Sequence, residues 1–287
     1  MSYKYCGHES FSIRKNWLQK GIQNIDGLRG GKQELNAMDR TGLGRNMVKS
    51  LRYWLKATGL ASPDKDGSLS QLGEIVKAKD PYIQETGTLW LLQWKLATNR
   101  EQATSWYYLF NELNMTGFTE DDFVRGLQKW DEMESDKPAA VSSFVKDFDC
   151  IRHTYIPHPD NDPESNMACP LSELGLLRYG SGGEIQKSVP LEKGFPPLVL
   201  LAAIAGRYTD EDGNMKNEIR LSSLLNEKGG PGKVFNMDSV LLLGLLGGLE
   251  NRGFVQVVRT AGLDVVRIKE ALSFEDAARM YYEELGI

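Results

Sequence analysis

Cysteine and histidine are scarce in this sequence, whose 287 residues contain three of each. Three cysteines, Cys6, Cys150 and Cys169, cannot form a disulfide framework, so the hydrophobic core has to stabilise the fold. No CxxC pair occurs. A zinc site built from Cys6, His8, Cys150 and His153 is therefore a weaker interpretation than ordinary buried thiols.

Long hydrophobic runs are also missing. The longest run, 240–249, contains glycines and is too short to cross a bilayer. The first ten residues, MSYKYCGHES, lack the apolar core of a signal peptide. We therefore expect a cytoplasmic protein with no membrane partner. The GxxxxGK[ST], HExxH, nucleophile-elbow and dinucleotide-glycine motifs are absent, so no catalytic centre follows from motifs alone.

The charge of the chain is unevenly distributed. The net charge is −5, which by itself argues against binding to nucleic acid. Residues 1–57, however, contain eleven Lys or Arg and four Asp or Glu, a net charge of +7, which leaves −12 on the other 230 residues. All six tryptophans lie within the first 130 residues. This polarity predicts one basic, aromatic-rich surface on a soluble protein.

The hydrophobic periodicity predicts a mainly α protein with short β-hairpin wings. Hairpins are expected around 63–68 and over 254–269, and each follows a helix. This order is typical of winged-helix units, which we place at both ends and join by packed helices. The predicted units are a basic, aromatic-rich DNA-binding domain at 1–156, a linker with loops at 157–194, and a protein-contact domain at 195–287.

The segment 43–58 carries the strongest functional signal. On a helix, Arg45, Lys49, Arg52 and Lys56 fall within one arc, opposite an apolar face. Asn46 lies near the start of this arc, where an amide can reach a base edge or a phosphate. The stripe is either a solvated face or a surface for the phosphates of duplex DNA, and we favour the second interpretation.

The segment 6–21 offers polar groups for chemistry. His8 and Glu9 are adjacent and precede the cations Arg14 and Lys15. A His–Glu pair near cations can perform acid–base or metal chemistry on a phosphodiester, and Arg14 can clamp a phosphate. Alternatively, the glutamate only favours a helix amino terminus, the histidine is a satisfied surface group, and Arg14 pairs with an acid of the fold.

A second candidate cluster lies in 141–155. Arg152 falls near the apolar face of a predicted helix, three residues after Asp149, which favours an internal ion pair. The alternative places Asp147 and Asp149 at a divalent metal that supports hydrolysis. In the carboxy-terminal unit, three glycines in 237–252 would let a second helix approach closely. We therefore expect self-association, with an internal core helix as an equal alternative.

Six stretches resemble, in order, the bacterial family called domain of unknown function 4007: GHESFSIRKNWLQKG, LGRNMVKSLRYWL, GTLWLLQWKL, WYYLFNE, VKDFDCIRHTY and CPLSELGLL. The resemblance covers about residues 7–178. Members of this family sit beside sulfur-transfer genes in DNA phosphorothioation and phage-defence clusters.

The resemblance implies a nicking endonuclease that binds duplex DNA, acts with sulfur-transfer proteins and uses Mg²⁺ or another divalent metal. The residues that it assigns to catalysis are His8, Glu9, Asp147 and Asp149. Arg14, Lys15 and the stripe with Asn46 would bind DNA. The rival hypotheses are a non-catalytic DNA-binding adaptor or regulator that recruits sulfur-transfer enzymes, and a structural assembly subunit. A homodimer is expected.

Overall fold

Helices dominate the structure, a computed structural model that describes residues 3–14, 16–29, 34–63, 67–157, 169–260 and 263–287. The α-helices up to the middle of the chain are α1 (Trp17–Gln23), α2 (Glu34–Thr41), α3 (Arg45–Ala57), α4 (Gln71–Lys79), α5 (Thr86–Thr98), α6 (Thr104–Tyr107), α7 (Glu120–Glu134) and α8 (Val141–Tyr155). A π-helical segment, Tyr108–Glu112, continues α6. The later helices are α9 (Pro197–Tyr208), α10 (Leu221–Asn226), α11 (Pro231–Val234), α12 (Ser239–Asn251) and α13 (Phe274–Glu284). The prediction of a mainly α fold is confirmed.

The amino-terminal part is built around α3, against which α1 and α2 pack. Its apolar face is completely buried, with Trp54 donating its indole N–H to the carbonyl of Phe11 at 2.9 Å. The hairpin predicted around 63–68 is reduced to one isolated bridge between Ala61 and Leu69. Residues 64–66 of that prediction lie outside the described residues. A turn this short provides no extended strand pair in the described part of this region.

Helix α5 crosses the centre of the molecule and is buried along most of its length. Its indole groups hydrogen-bond inside the protein: Trp90 donates to the carbonyl of Gly194 at 2.8 Å and Trp94 to that of Gly229 at 3.3 Å. The amide of Gln93 between them accepts from the hydroxyl of Tyr155. These tryptophans therefore serve the core and have no open ring face for a nucleobase.

Two small antiparallel sheets complete the fold. The first has the order β1-β3-β2 and consists of β1 (Gly117–Phe118), β2 (Leu177–Tyr179) and β3 (Ile185–Lys187). Strands of two or three residues are too short to show an alternating pattern, which explains why the sequence predicted only loops at 157–194. The described part of that predicted linker thus contains the β2–β3 hairpin.

The second sheet lies at the carboxy-terminal end and has the order β4-β6-β5. Its strands are β4 (Glu218–Arg220), β5 (Val255–Thr260) and β6 (Leu263–Ile268), so the hairpin predicted over 254–269 is confirmed. Here α9, β4, α10, α11, α12, β5 and β6 follow one another along the chain. The winged-helix interpretation of this order stays a prediction.

Two of the three glycines of α12, Gly244 and Gly248, lie against other parts of the chain and also line a cavity of about 690 Å³. A Cβ on Gly244 would meet the carboxylate of Glu192 at 2.8 Å, and one on Gly248 would meet Pro197 at 3.3 Å. Only Gly247 of these three faces open space. The predicted docking of a second helix here and the homodimer both stay predictions.

The hydrophobic core continues through all three predicted units. Helix α13 packs on α9 and α4, and the hydroxyl of its Tyr282 shares a hydrogen bond of 2.7 Å with the hydroxyl of Thr88 in α5. Among the described residues, no single helix is both long and hydrophobic enough to cross a membrane. Two consecutive segments, Leu221–Val234 and Ser239–Asn251, have the required length and hydrophobicity when taken together, but they are bent by 87° relative to each other.

Candidate nucleic-acid interface

The predicted cationic stripe lies on α3 opposite its buried face. Arg45 and Lys49 are exposed, whereas Arg52 and Lys56 are half-buried. Asn46 is exposed in the first turn, beside Arg45. The structure therefore places the stripe along one side of the helix, as the sequence predicted. Lys15 lies outside the described residues.

Arg52 is held by the backbone of its own chain. Its Nε donates to the carbonyl of Leu28 at 2.6 Å, and one terminal nitrogen donates to the carbonyl of Arg29 at 3.1 Å. Because the guanidinium group is planar and its N–H donors have fixed directions, these two bonds fix the orientation of its plane. Arg52 is thus both an anchor for the segment after α1 and a fixed positive charge on the stripe.

The stripe forms one wall of a cavity of about 290 Å³. Lys49, Arg52 and Lys56 line it together with Lys4 from the amino-terminal segment, and Glu9 is the one acidic residue among the described residues of its lining. Burial and the positive charge of Lys56 lower the pKa of Lys4. Like charges gathered in this way raise the local positive potential, so the cavity is suited to an anion.

The loop that delivers Glu9 is strained. Cys6, Glu9 and Ser10 all have left-handed backbone conformations, with φ of 54°, 49° and 64°. Each such residue costs of order 1 kcal/mol or more and persists where its surroundings impose it. Contacts of the fold, rather than local preference, therefore determine where the Glu9 carboxylate lies.

Those contacts centre on His8, which is completely buried. The N–H of Ser10 donates to His8 Nδ1 at 3.1 Å, so the ring proton lies on Nε2 and is donated to Asp147 Oδ1 at 2.7 Å. The same oxygen accepts the N–H of Cys6 at 2.8 Å, and Asp147 Oδ2 accepts the hydroxyl of Ser105 at 2.5 Å. Asp147 is 1% exposed.

Two of the four predicted catalytic residues thus meet in the interior. His8 is enclosed by the rings of Tyr53, Trp54 and Trp106, at centroid distances of 6.0 to 6.3 Å. The sequence predicted His8 either as a catalytic group or as a satisfied surface group, and the structure places it as a satisfied core group. In this arrangement the His8–Asp147 pair holds the strained loop and has no surface for a substrate.

Asp149 lies on the outside of α8. Its carboxylate pairs with Arg152 at 2.7 Å, and its side chain is 59% exposed. The expected internal Arg–Asp pair is therefore formed, but at the surface. Asp149 and Arg14 line a second cavity of about 260 Å³, and the guanidinium of Arg14 lies 5.7 Å from the ring centroid of Trp17. The proposal that Asp147 and Asp149 share one metal is wrong in this geometry, because α8 directs them apart.

Sequence reasoning missed two residues of these sites. Lys4 carries no motif, and only its place in the cavity reveals a role. Ser105 is a buried residue of α6 whose hydroxyl completes the hydrogen bonding of Asp147. No local pattern marks either residue, since Asp147 lies 42 positions from Ser105 and the residues around Lys4 in the cavity come from several elements.

The sequence profile of the family described as protein of unknown function (DUF4007) matches residues 5–282. The chain belongs to this family. Two solved structures share the fold of this DUF4007 protein. A crystal structure of magnesium ion-bound SspB has 23% sequence identity and a TM-score of 0.79, covering 98% of this chain and 94% of that one.

A second SspB crystal structure has 24% identity and a TM-score of 0.80, covering 99% of this chain and 87% of that one. No curated protein matches the DUF4007 chain. At these identities the likeness establishes a common fold over nearly the whole length of both proteins. The profile match over residues 5–282 confirms the family that the motifs indicated.

Magnesium does not fit the one group of three metal-ligand side chains found among the described residues. That group is Cys6, His8 and Asp147, whose ligand atoms lie within 4.8 Å of one another. Magnesium prefers oxygen ligands and retains several waters, whereas this group offers sulfur and nitrogen in the interior. Both Asp147 oxygens already accept hydrogen bonds. The buried group is therefore not a magnesium site.

Proposed function

We propose that this protein binds duplex DNA through α3 and cuts one strand, as a DNA nickase in bacterial DNA phosphorothioation and phage defence. One observation carries the proposal: the cationic stripe runs into a cavity whose lining contains Lys49, Arg52 and Lys56 together with Glu9. Phosphate binding and a proton-transfer group are thereby brought to one place. The family and the fold shared with SspB support the phosphorothioation context.

Different residues bind the DNA, act at the scissile phosphate and position the acid–base group. Arg45, Asn46 and Lys49 meet the DNA backbone from the exposed part of α3, and Arg52 presents a charge in a fixed orientation. Glu9 acts as the acid–base group at the scissile phosphate. His8 and Asp147 are positioning residues, because they hold the loop that carries Glu9.

The carboxylate of Glu9 also suits a divalent metal better than the buried group does. Magnesium is commonly bound by one or two carboxylates together with substrate phosphates, and Glu9 lies where cations would gather such phosphates. A bound divalent ion would supply Lewis-acid polarisation of the phosphate. Asp149 is exposed and could serve in the same way away from α3, either at the second cavity on Arg14's side or at a further cavity of about 400 Å³ that it lines with Glu120 and Glu184.

A second candidate function is a DNA-binding adaptor that recruits sulfur-transfer proteins without cutting. The observation in its favour is that His8 and Asp147, half of the predicted catalytic set, are buried and fully hydrogen-bonded. A binding protein needs the stripe but not the acid–base group, so the two functions predict different outcomes for the same variant.

The experiment is a supercoiled-plasmid assay with Mg²⁺, run alongside a duplex-binding assay. The nickase produces open-circular DNA, and Glu9→Gln abolishes that product while duplex binding persists. Lys129→Ala is the matched control, because Lys129 is exposed on α7 and lines neither cavity. Binding without open-circular product would support the adaptor, and the absence of salt-sensitive binding would overturn both functions.

A further inference from the structure

The cavity beside α3 has both a cationic and an apolar lining, and a phosphate alone needs only the cationic part. Its cations, Lys4, Lys49 and Lys56, suit an anion, but its floor is formed by apolar side chains and the ring of Tyr53. The apolar members are Ile25, Leu28, Leu55 and Ala61. A phosphodiester crossing a surface gains nothing from such a floor. A ligand with both a flat, largely apolar body and a phosphate gains from both parts.

The size of the cavity limits the ligand further. Small-molecule pockets typically measure about 300–1,000 Å³, so 290 Å³ is enough for one nucleotide and not for a longer strand. Gly7 also lines the cavity and packs closely against the Tyr53 ring, where a Cβ would lie 2.3 Å from a ring carbon.

We propose that this cavity binds a single nucleotide, with its base over the Tyr53 floor and its phosphate at Lys4, Lys49 and Lys56. The inference rests on the proposed function for the source of the nucleotide, which is one residue of the bound DNA strand. A base in a duplex can enter such a cavity only by leaving the stack, at a cost of a few kcal/mol. Lys49, Arg52 and Lys56 belong to both the stripe and the cavity wall, so the two surfaces are continuous.

Because the cavity is continuous with the stripe, we expect its nucleotide to belong to a bound DNA strand rather than to be a free nucleotide. Fluorescence of a modified base in a duplex distinguishes these two sources. Duplexes carry 2-aminopurine at single positions, because its fluorescence rises when the base is unstacked. Saturating protein should raise the fluorescence by roughly threefold or more at one position. A duplex with an abasic site opposite the probe should bind more tightly, since less stacking and pairing energy is lost.

Two variants test whether the rise in 2-aminopurine fluorescence depends on the cavity. Lys4→Ala removes a cavity cation that lies outside the α3 stripe, and its backbone contacts to Glu101 and Thr104 do not involve the side chain. Ala61→Met fills the cavity from its floor. Both should abolish the fluorescence rise while duplex binding through α3 persists. Lys4→Ala should also reduce the slope of log affinity against log salt by about 0.9, because it removes one phosphate contact. The exposed control Lys129→Ala should keep the rise.

The outcomes distinguish this inference from the proposed function. Saturated duplex binding with no fluorescence rise at any position, or a rise that survives in both cavity variants, overturns the inference and leaves DNA binding intact. If the protein binds no duplex, the proposed function fails. The binding of deoxyadenosine monophosphate alone is then measured by calorimetry. Binding that Lys4→Ala weakens by roughly tenfold supports a free-nucleotide site, and no binding overturns the inference.

Discussion

Asp147 and Asp149 lie two positions apart on α8 and face different surroundings. Asp147 accepts hydrogen bonds from His8 at 2.7 Å and from Cys6 at 2.8 Å in the interior. Asp149 pairs with Arg152 at the surface. Successive residues of a helix are rotated by about 100°, so positions i and i+2 point away from each other. The two aspartates therefore have unrelated roles: Asp147 accepts internal hydrogen bonds, and Asp149 forms a surface ion pair.

This relationship predicts a large difference in stability between two equivalent substitutions. Asp147→Ala leaves the donors of His8, Cys6 and Ser105 buried without an acceptor, and we expect it to lower the free energy of unfolding by about 3–5 kcal/mol. Asp149→Ala removes an exposed ion pair, which should cost less than about 1 kcal/mol. Urea denaturation followed by circular dichroism measures both. Equal losses would contradict the assignment of Asp147 as a positioning residue.

The α3 stripe predicts how DNA binding depends on salt. If Arg45, Lys49, Arg52 and Lys56 each neutralise one phosphate, the slope of log affinity against log salt is about −3.6, from about 0.9 per contact. Lys49→Ala should reduce the slope by about 0.9, because Lys49 is exposed and makes no ion pair within the described part of the chain. Fluorescence anisotropy over a salt series provides the measurement. An unchanged slope for Lys49→Ala, matching that of Lys129→Ala, would argue against the stripe.

Lys187 predicts a pH dependence of stability. Its ammonium group donates to the carbonyls of Leu109 and Leu113 at 2.7 and 2.6 Å, while burial, with the charge of Lys233, lowers its pKa to about 7. An unfolded lysine titrates near about 10.4, so between these values the unfolded state binds more protons. Stability attributable to Lys187 therefore rises with pH above about 7 and levels off near about 10.

The Lys187 effect is isolated by comparing variants in urea denaturation across this pH range. The difference in unfolding free energy between wild type and Lys187→Met should grow with pH, by at most about 1.4 kcal/mol per pH unit. Lys129→Met, an exposed control, should follow the wild type. A difference that is constant with pH would show that Lys187 titrates as it does in the unfolded chain.

Two helical glycines predict opposite responses to alanine. A Cβ on Gly247 in α12 meets no atom within 4 Å, so Gly247→Ala should stabilise the protein by about 0.5–1 kcal/mol through helix propensity. A Cβ on Gly73 in α4 would lie 2.0 Å from the carbonyl oxygen of Leu60, a backbone atom that cannot rotate away. Gly73→Ala should therefore destabilise by about 1–3 kcal/mol or more. Thermal unfolding measures both, and a destabilising Gly247→Ala would reveal a neighbour at that face.

Sequence patterns predicted the positions of the long helices accurately. The segments predicted at 43–58, 86–98 and 237–252 became α3, α5 and α12 within two residues at each end, because burial on one or more faces imposes a clear periodicity. Short elements were missed, including α2 and the sheet β1-β3-β2, since two to eight residues give too few repeats. The hairpin expected around 63–68 was overestimated, because polar turn residues do not specify how far the flanking strands pair.

The sequence by itself fixed the helical class, the family and the line of cations on α3, because these depend on local spacing and on ordered motifs. Tertiary structure decided which polar groups face solvent. It placed His8 and Asp147 inside, brought Lys4 to the cavity, and anchored Arg52 on the carbonyls of Leu28 and Arg29. The burial of a side chain depends on all the elements packed around it, and contacts between residues more than a hundred positions apart leave no local pattern.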